Sequence, residues 1–85
     1  MIAAELLDII RECDSDMVSG FDIESQDVRE NVITLTGWDE STGERLTRVI
    51  AVEQVEFTID DYRYGSHRDH SEFGYVVELQ SEIRE

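Results

Sequence analysis

Eighty-five residues, 40% of them hydrophobic, allow one core and leave no room for a second. Seven arginines stand against 21 Asp and Glu, and lysine is absent, so the formal net charge is −14. That balance excludes direct binding to DNA, RNA or an anionic membrane as an expected role and favours partners with a basic surface.

One cysteine rules out an internal disulfide. No apolar run approaches the ~18 residues of a membrane span. Glu5 and Asp8 fall where a signal peptide is basic and then apolar, so the expected location is cytoplasmic.

In chain order, residues 2–14 read as an amphipathic helix. Ile2, Leu6, Ile9, Ile10 and Cys13 fall at helical spacing, and Glu5, Asp8 and Glu12 line the opposite side. Cys13 on the apolar side is expected to be a small core residue. "DSD" at 14–16 stops the helix. The period then changes to two. "SGFDIESQ" alternates as a half-buried strand, "DVREN" turns the chain, and "VITLTGW" is a β-branched second strand. "DESTGE" is a hairpin loop and "RLTRVIAV" a third strand. "EQ" at 53–54 reads as a tight connection or a bulge before a fourth strand, "VEFTIDDY". A loop is expected around 65–71, and "EFGYVVELQS" is a fifth strand, with a helix over 75–84 as the other reading.

The expected fold is therefore α+β, one domain over residues 1–85. An N-terminal helix is followed by a five-stranded antiparallel meander, because no connection is long enough for a parallel crossover. The sheet is expected to curl, or to close into a small barrel packed on the helix; a flatter sheet covered on one side is the other arrangement. The helix-then-five-strands order resembles that of Sm-like small barrels. "TGWDESTGERLTRVIAV" is similar to a strand–turn–strand of WYL-type ligand-sensing domains, without the aromatic motif that names them. Neither resemblance carries a functional residue.

The stretch "YGSHRDHSEFGY" holds both histidines, spaced H-x-x-H, with Asp69 and Glu72 beside them. Zinc needs three or four ligands held tetrahedrally. Gly65 and Ser66 argue against a helix that would align His67 with His70, and Arg68 between them repels a cation. A solvated loop is the plainer reading, so no metal ligand is assigned. Arg63, Tyr64 and His67 form a secondary contact loop, since Arg and Tyr are enriched where partners bind. Close acid pairs such as Asp60–Asp61 are unavoidable at this composition, and catalysis needs a pocket that shifts a pKa. No catalytic residue or cofactor is expected. Arg45 and Arg48 are expected to interrupt acidic strands with cross-strand ion pairs. Trp38, the sole Trp, is expected at the edge of the core.

Two explanations remain for the charge. The composition resembles that of cytoplasmic proteins from salt-in archaea, in which acids serve solubility and cover every exposed face. Alternatively, rows of acids imitate the phosphates of DNA; in size and charge the chain resembles small phage-encoded inhibitors of defence nucleases. The rows available are Asp22, Glu24, Glu56 and Asp60 on strands, and Glu5, Asp8 and Glu12 on the helix. The expectation is a non-catalytic binding module for a protein with a basic surface, with a haloadapted regulatory or subunit domain as the alternative.

Overall fold

The computed structural model describes residues 2–63 and 66–85, with side chains for all of these except 60–63 and 66–68. One helix, α1 (Ala3–Cys13), and a single turn of 3₁₀ helix (Ser15–Met17) precede four strands: β1 (Phe21–Arg29), β2 (Val32–Asp39), β3 (Arg45–Arg63) and β4 (Ser66–Arg84). The strands form one antiparallel sheet in the order β1-β2-β3-β4. The fold is thus α+β with an antiparallel meander, as the sequence implies.

Three expectations are corrected. There are four strands and not five, because residues 45–52 and 55–62 belong to one 19-residue strand that runs through Glu53 and Gln54 without a break. The expected loop at 65–71 is also strand from Ser66 onward. The sheet is open, neither closed into a barrel nor strongly curled, since β1 and β4 remain its two edges. The region 75–84 is strand throughout.

The core lies between α1 and one face of the sheet. Leu6, Leu7 and Ile10 of the helix meet Phe21, Ile33, Leu35, Leu46, Ile50 and Val52, all buried. Alternation accounts for this set: Leu46, Ile50 and Val52 are even positions of β3, paired across β2 with Gly37, Ile33 and Asn31. The helix turns a narrower stripe inward than its spacing suggests. Ile2 is 64% exposed, and Cys13, expected in the core, is exposed, its Sγ 3.6 Å from the Tyr75 carbonyl at the sheet edge. The buried stripe runs from Leu6 to Ile10 with Ala3 and Ile9 half-buried beside it, which leaves Ile2 and Cys13 beyond the covered area.

Two backbone positions fix the sheet. A Cβ on Gly37 would overlap the Asp22 carbonyl oxygen, so only glycine lets β1 approach β2 at the bulge between Ile23 and Ser25. Glu30, in the β1–β2 turn, has φ 57°, a left-handed conformation rare outside glycine.

β2 ends its pairing at Val32↔Ala51, so beyond Val52 the strands β3 and β4 continue as a two-stranded arm. The arm makes the molecule 58 Å long. Its radius of gyration is 16.9 Å, against about 12 Å for a compact chain of this length.

Candidate binding surfaces

Five of the seven arginines have described side chains, and each meets an acid. Arg11 lies 3.5 Å from Asp8, Arg29 3.4 Å from Asp27, and Arg45 3.4 Å from Glu24. Arg48 lies 2.8 Å from Glu82, and Arg84 2.7 Å from Asp39. The expected cross-strand role of Arg45 and Arg48 is what the register delivers: Arg48 stands opposite Glu82, and Arg45 reaches across β2 to Glu24 on β1.

The tightest of these pairs form a clamp at the closed end of the sheet. One oxygen of Asp39 accepts from the Ser41 hydroxyl at 2.6 Å, the Ser41 amide at 2.9 Å and the Thr42 amide at 3.3 Å, and so shapes the β2–β3 loop. The other oxygen accepts from Arg84. The Ser41 hydroxyl and then Arg84 hold the Asp39 carboxyl well below the usual carboxylate range, and Asp39 in turn raises Arg84. Glu82 is also lowered, chiefly by its hydrogen bond from Arg48. Arg48 donates a further bond to the Met17 carbonyl at 2.7 Å. A pocket of about 380 Å³, lined by Ser19, Gly20, Asp39, Glu40, Ser41, Leu46 and Arg48, opens beside this clamp. Asp39 and Arg48 in its lining are already engaged in holding the fold, which argues for a structural role. Nothing in the sequence pattern singled out Asp39, because its partner Arg84 lies 45 residues away.

The predicted acid rows are placed as follows. Glu5, Asp8 and Glu12 lie exposed on α1, on its side away from the core, with Arg11 beside Asp8. The strand set does not form one row. Asp22 and Glu24 sit on β1, where Asp22 pairs with Trp38 and Glu24 occupies the bulge beside Arg45. Glu56 is exposed on the arm, opposite Phe73. Eleven residues of β3 separate Glu56 from Arg45, which pairs with Trp38, so the two halves of the set stand about 36 Å apart along the strand direction. The side chain of Asp60 lies outside the described residues; its backbone pairs with Asp69.

The secondary contact loop falls in the same region. Tyr64 lies outside the described residues, as do the side chains of Arg63 and His67. His70 is described, with Nε2 3.0 Å from Glu72 Oε1. Among the described residues no three His, Cys, Asp or Glu side chains cluster as metal ligands.

The two central strands present an uncharged patch on the sheet face away from α1. Val32, Thr34 and Thr36 of β2 and Thr47, Val49 and Ala51 of β3 are half-buried there, and the rim is formed by Trp38 with Arg45 5.2 Å from its ring centre. Trp38, expected at the edge of the core, is 38% exposed and lies on the opposite face of the sheet, because it alternates with the inward Gly37. No helix among the described residues is long and apolar enough to cross a membrane. No family model, curated protein or solved structure matches the chain.

Proposed function

We propose that this chain is a non-catalytic acidic binding module, a small cytoplasmic inhibitor or regulator whose carboxylates stand in for DNA phosphates on a basic nucleic-acid-binding protein. The observation that carries the reading is the fate of the arginines. Every arginine with a described side chain is paired to an acid, so those cations are offset within the fold and the remaining acids set the outward field. Glu5, Asp8 and Glu12 offer three carboxylates on one exposed helix face, spaced by about 5–6 Å per step, with Asp8 partly offset by Arg11 at 3.5 Å. Duplex DNA carries about one charge per 1.7 Å of axis, so this row needs a neighbouring row to approach that density. Glu56 on the arm, on the sheet face that carries the helix, supplies part of one.

A second reading is favoured by a different observation. Acids occupy α1, the β1 edge, both loops and the arm, a spread that suits a haloadapted regulatory or subunit domain whose charge serves solubility. One experiment separates the two. Glu5, Asp8 and Glu12 are replaced together by Gln, Asn and Gln, and binding to an arginine-rich peptide is measured by calorimetry across a salt series. Each surface charge alone contributes about 0–1 kcal/mol, so the set acts only jointly. The mimic reading expects about tenfold weaker binding and a shallower salt slope with the fold intact by circular dichroism. Unchanged binding leaves the acids as a solubility device.

A further inference from the structure

The two edges of the sheet are treated differently. β1 carries Asp22, Glu24, Asp27 and Arg29 among nine residues and has a bulge, the usual protections of an edge against pairing with another chain. β4 has no charge from Phe73 to Val77, in a chain that is 33% charged, and its bulge lies lower, opposite the step from Val49 to Ile50. The backbone of this segment is also turned outward. Val52 N–H bonds the carbonyl of Asn31, just before β2, so by alternation the amides of Val76 and Gly74 face β3, and those of Phe73, Tyr75, Val77 and Leu79 face the open edge. Among the described residues, the Tyr75 carbonyl meets there only the weak Cys13 thiol. The same four residues place their side chains on one face, where Phe73 is 66%, Tyr75 37% and Leu79 41% exposed.

We infer that this chain forms a two-fold homodimer by antiparallel pairing of β4 with β4 of a second copy, centred on Val76. In that register Tyr75 faces the partner's Val77 and Phe73 faces the partner's Leu79, so about eight backbone bonds form and every outward side chain meets an apolar one. Glu78 falls opposite Gly74. Centring on Tyr75 would instead set Glu72 against Glu78, and centring on Gly74 would set Leu79 against Asp69. Area points the same way. The chain exposes 5963 Å², about 800 Å² more than a compact monomer of its mass; the excess comes with the 58 Å length of the molecule, and pairing along β4 would cover part of it. A two-stranded arm is marginal in water, and a second copy gives it the third and fourth strands it lacks.

The inference does not rest on the proposed function. Sedimentation equilibrium over a concentration series, at about 0.1 and 1 M KCl, tests it, because screening two copies of charge −14 must strengthen the dimer. The expected species is twice 9.8 kDa. Tyr75→Pro removes an outward donor and none of the bonds to β3, and is expected to leave a monomer. The register is tested without disturbing the edge backbone, by oxidising Val76→Cys in a Cys13→Ser background. Non-hydrogen-bonded partners stand about 4.5 Å apart, within disulfide reach, so this variant should cross-link to itself. Glu78→Cys in the same background should not. A monomer at every concentration and salt, a dimer that survives Tyr75→Pro, or cross-linking at Glu78→Cys in place of Val76→Cys overturns the inference.

Discussion

Arg48→Met is the sharpest test of how the closed end of the sheet is held. Arg48 occupies an inward position of β3 between Leu46 and Ile50, opposite Leu35 on one side and Glu82 on the other. An arginine there must carry its stem along the core and its charge out of it. It does so with bonds to Glu82 Oε1 at 2.8 Å and to the Met17 carbonyl at 2.7 Å, its guanidinium 5.6 Å from the Phe21 ring centre. The side chain is 14% exposed and that of Glu82 32%, so screening is partial. Charged hydrogen bonds contribute about 1.5–3 kcal/mol each, and partial exposure of Glu82 moves its share to the lower end. Cation–π contact adds about 0.5–1 kcal/mol. Methionine keeps the apolar stem, so the expected loss is the polar part, about 2–4 kcal/mol. For a domain of this size that is about 10–25 °C in Tm. Thermal melts followed by circular dichroism measure it. The loss should persist in about 2 M KCl, where exposed pairs are screened away. An Arg48→Met protein that melts within about 2 °C of the parent would refute the clamp as a source of stability.

Two further outcomes follow from neighbouring positions. Asp39→Asn should lower Tm at neutral pH, and the gap from the parent should close with acid. The Asp39 carboxyl is depressed in the folded state, so its contribution is full above its unfolded value near pH 4 and is lost as pH falls further; a gap that stays constant into strong acid contradicts this. Gly37→Ala should cost about 1–3 kcal/mol in a urea titration, because its Cβ meets the Asp22 backbone and not a side chain that can move away; a neutral result would mean that β1 can shift at its bulge.

The helix and the first three strand starts are legible in the sequence because each has one hydrophobic period and a local stop: Asp14, Asn31 and Gly43 all fall in or beside turns. The arm is not, and the reason is a change of phase. In β3 the apolar residues of the core are even, Leu46, Ile50 and Val52, and those of the arm are odd, Val55, Phe57 and Ile59. A pattern that changes face within two residues reads as a break, since a strand with one buried face keeps its phase. Here the strand continues and it is the environment that changes: past Val52 neither α1 nor β2 covers it, so no face is obliged to be the inner one. Phe57 accordingly lies over Gly74 on the face opposite the core, where a Cβ would stand 2.9 Å from its ring. Cys13 failed for a related reason: helical spacing gives the stripe but not where the sheet beneath it ends. Of the candidate sites, the helix row was legible as a surface, whereas the strand acids looked like one group only because sequence hides the arm's length.

Charge and edge pairing place opposite demands on this molecule, and salt tells them apart. The proposed binding of a basic partner by Glu5, Asp8 and Glu12 would gain from Coulomb attraction and weaken as ions screen it. Pairing of β4 with its copy brings two chains of −14 together and gains from the same screening, while its own contacts, backbone bonds and the apolar pairs of Phe73–Leu79 and Tyr75–Val77, are nearly indifferent to salt. The acid-free run from Phe73 to Val77 suits the proposed pairing. In a chain with this charge, two copies can meet only along a line from which carboxylates have been withheld, and the open edge of β4 is such a line. The helix row lies on α1, whose last residue, Cys13, touches the pairing edge at the Tyr75 carbonyl, so the proposed dimer would present both helix rows in duplicate, related by the two-fold axis. A partner with two basic sites at matching spacing would then bind with the advantage of a second, intramolecular contact, and one with a single site would not.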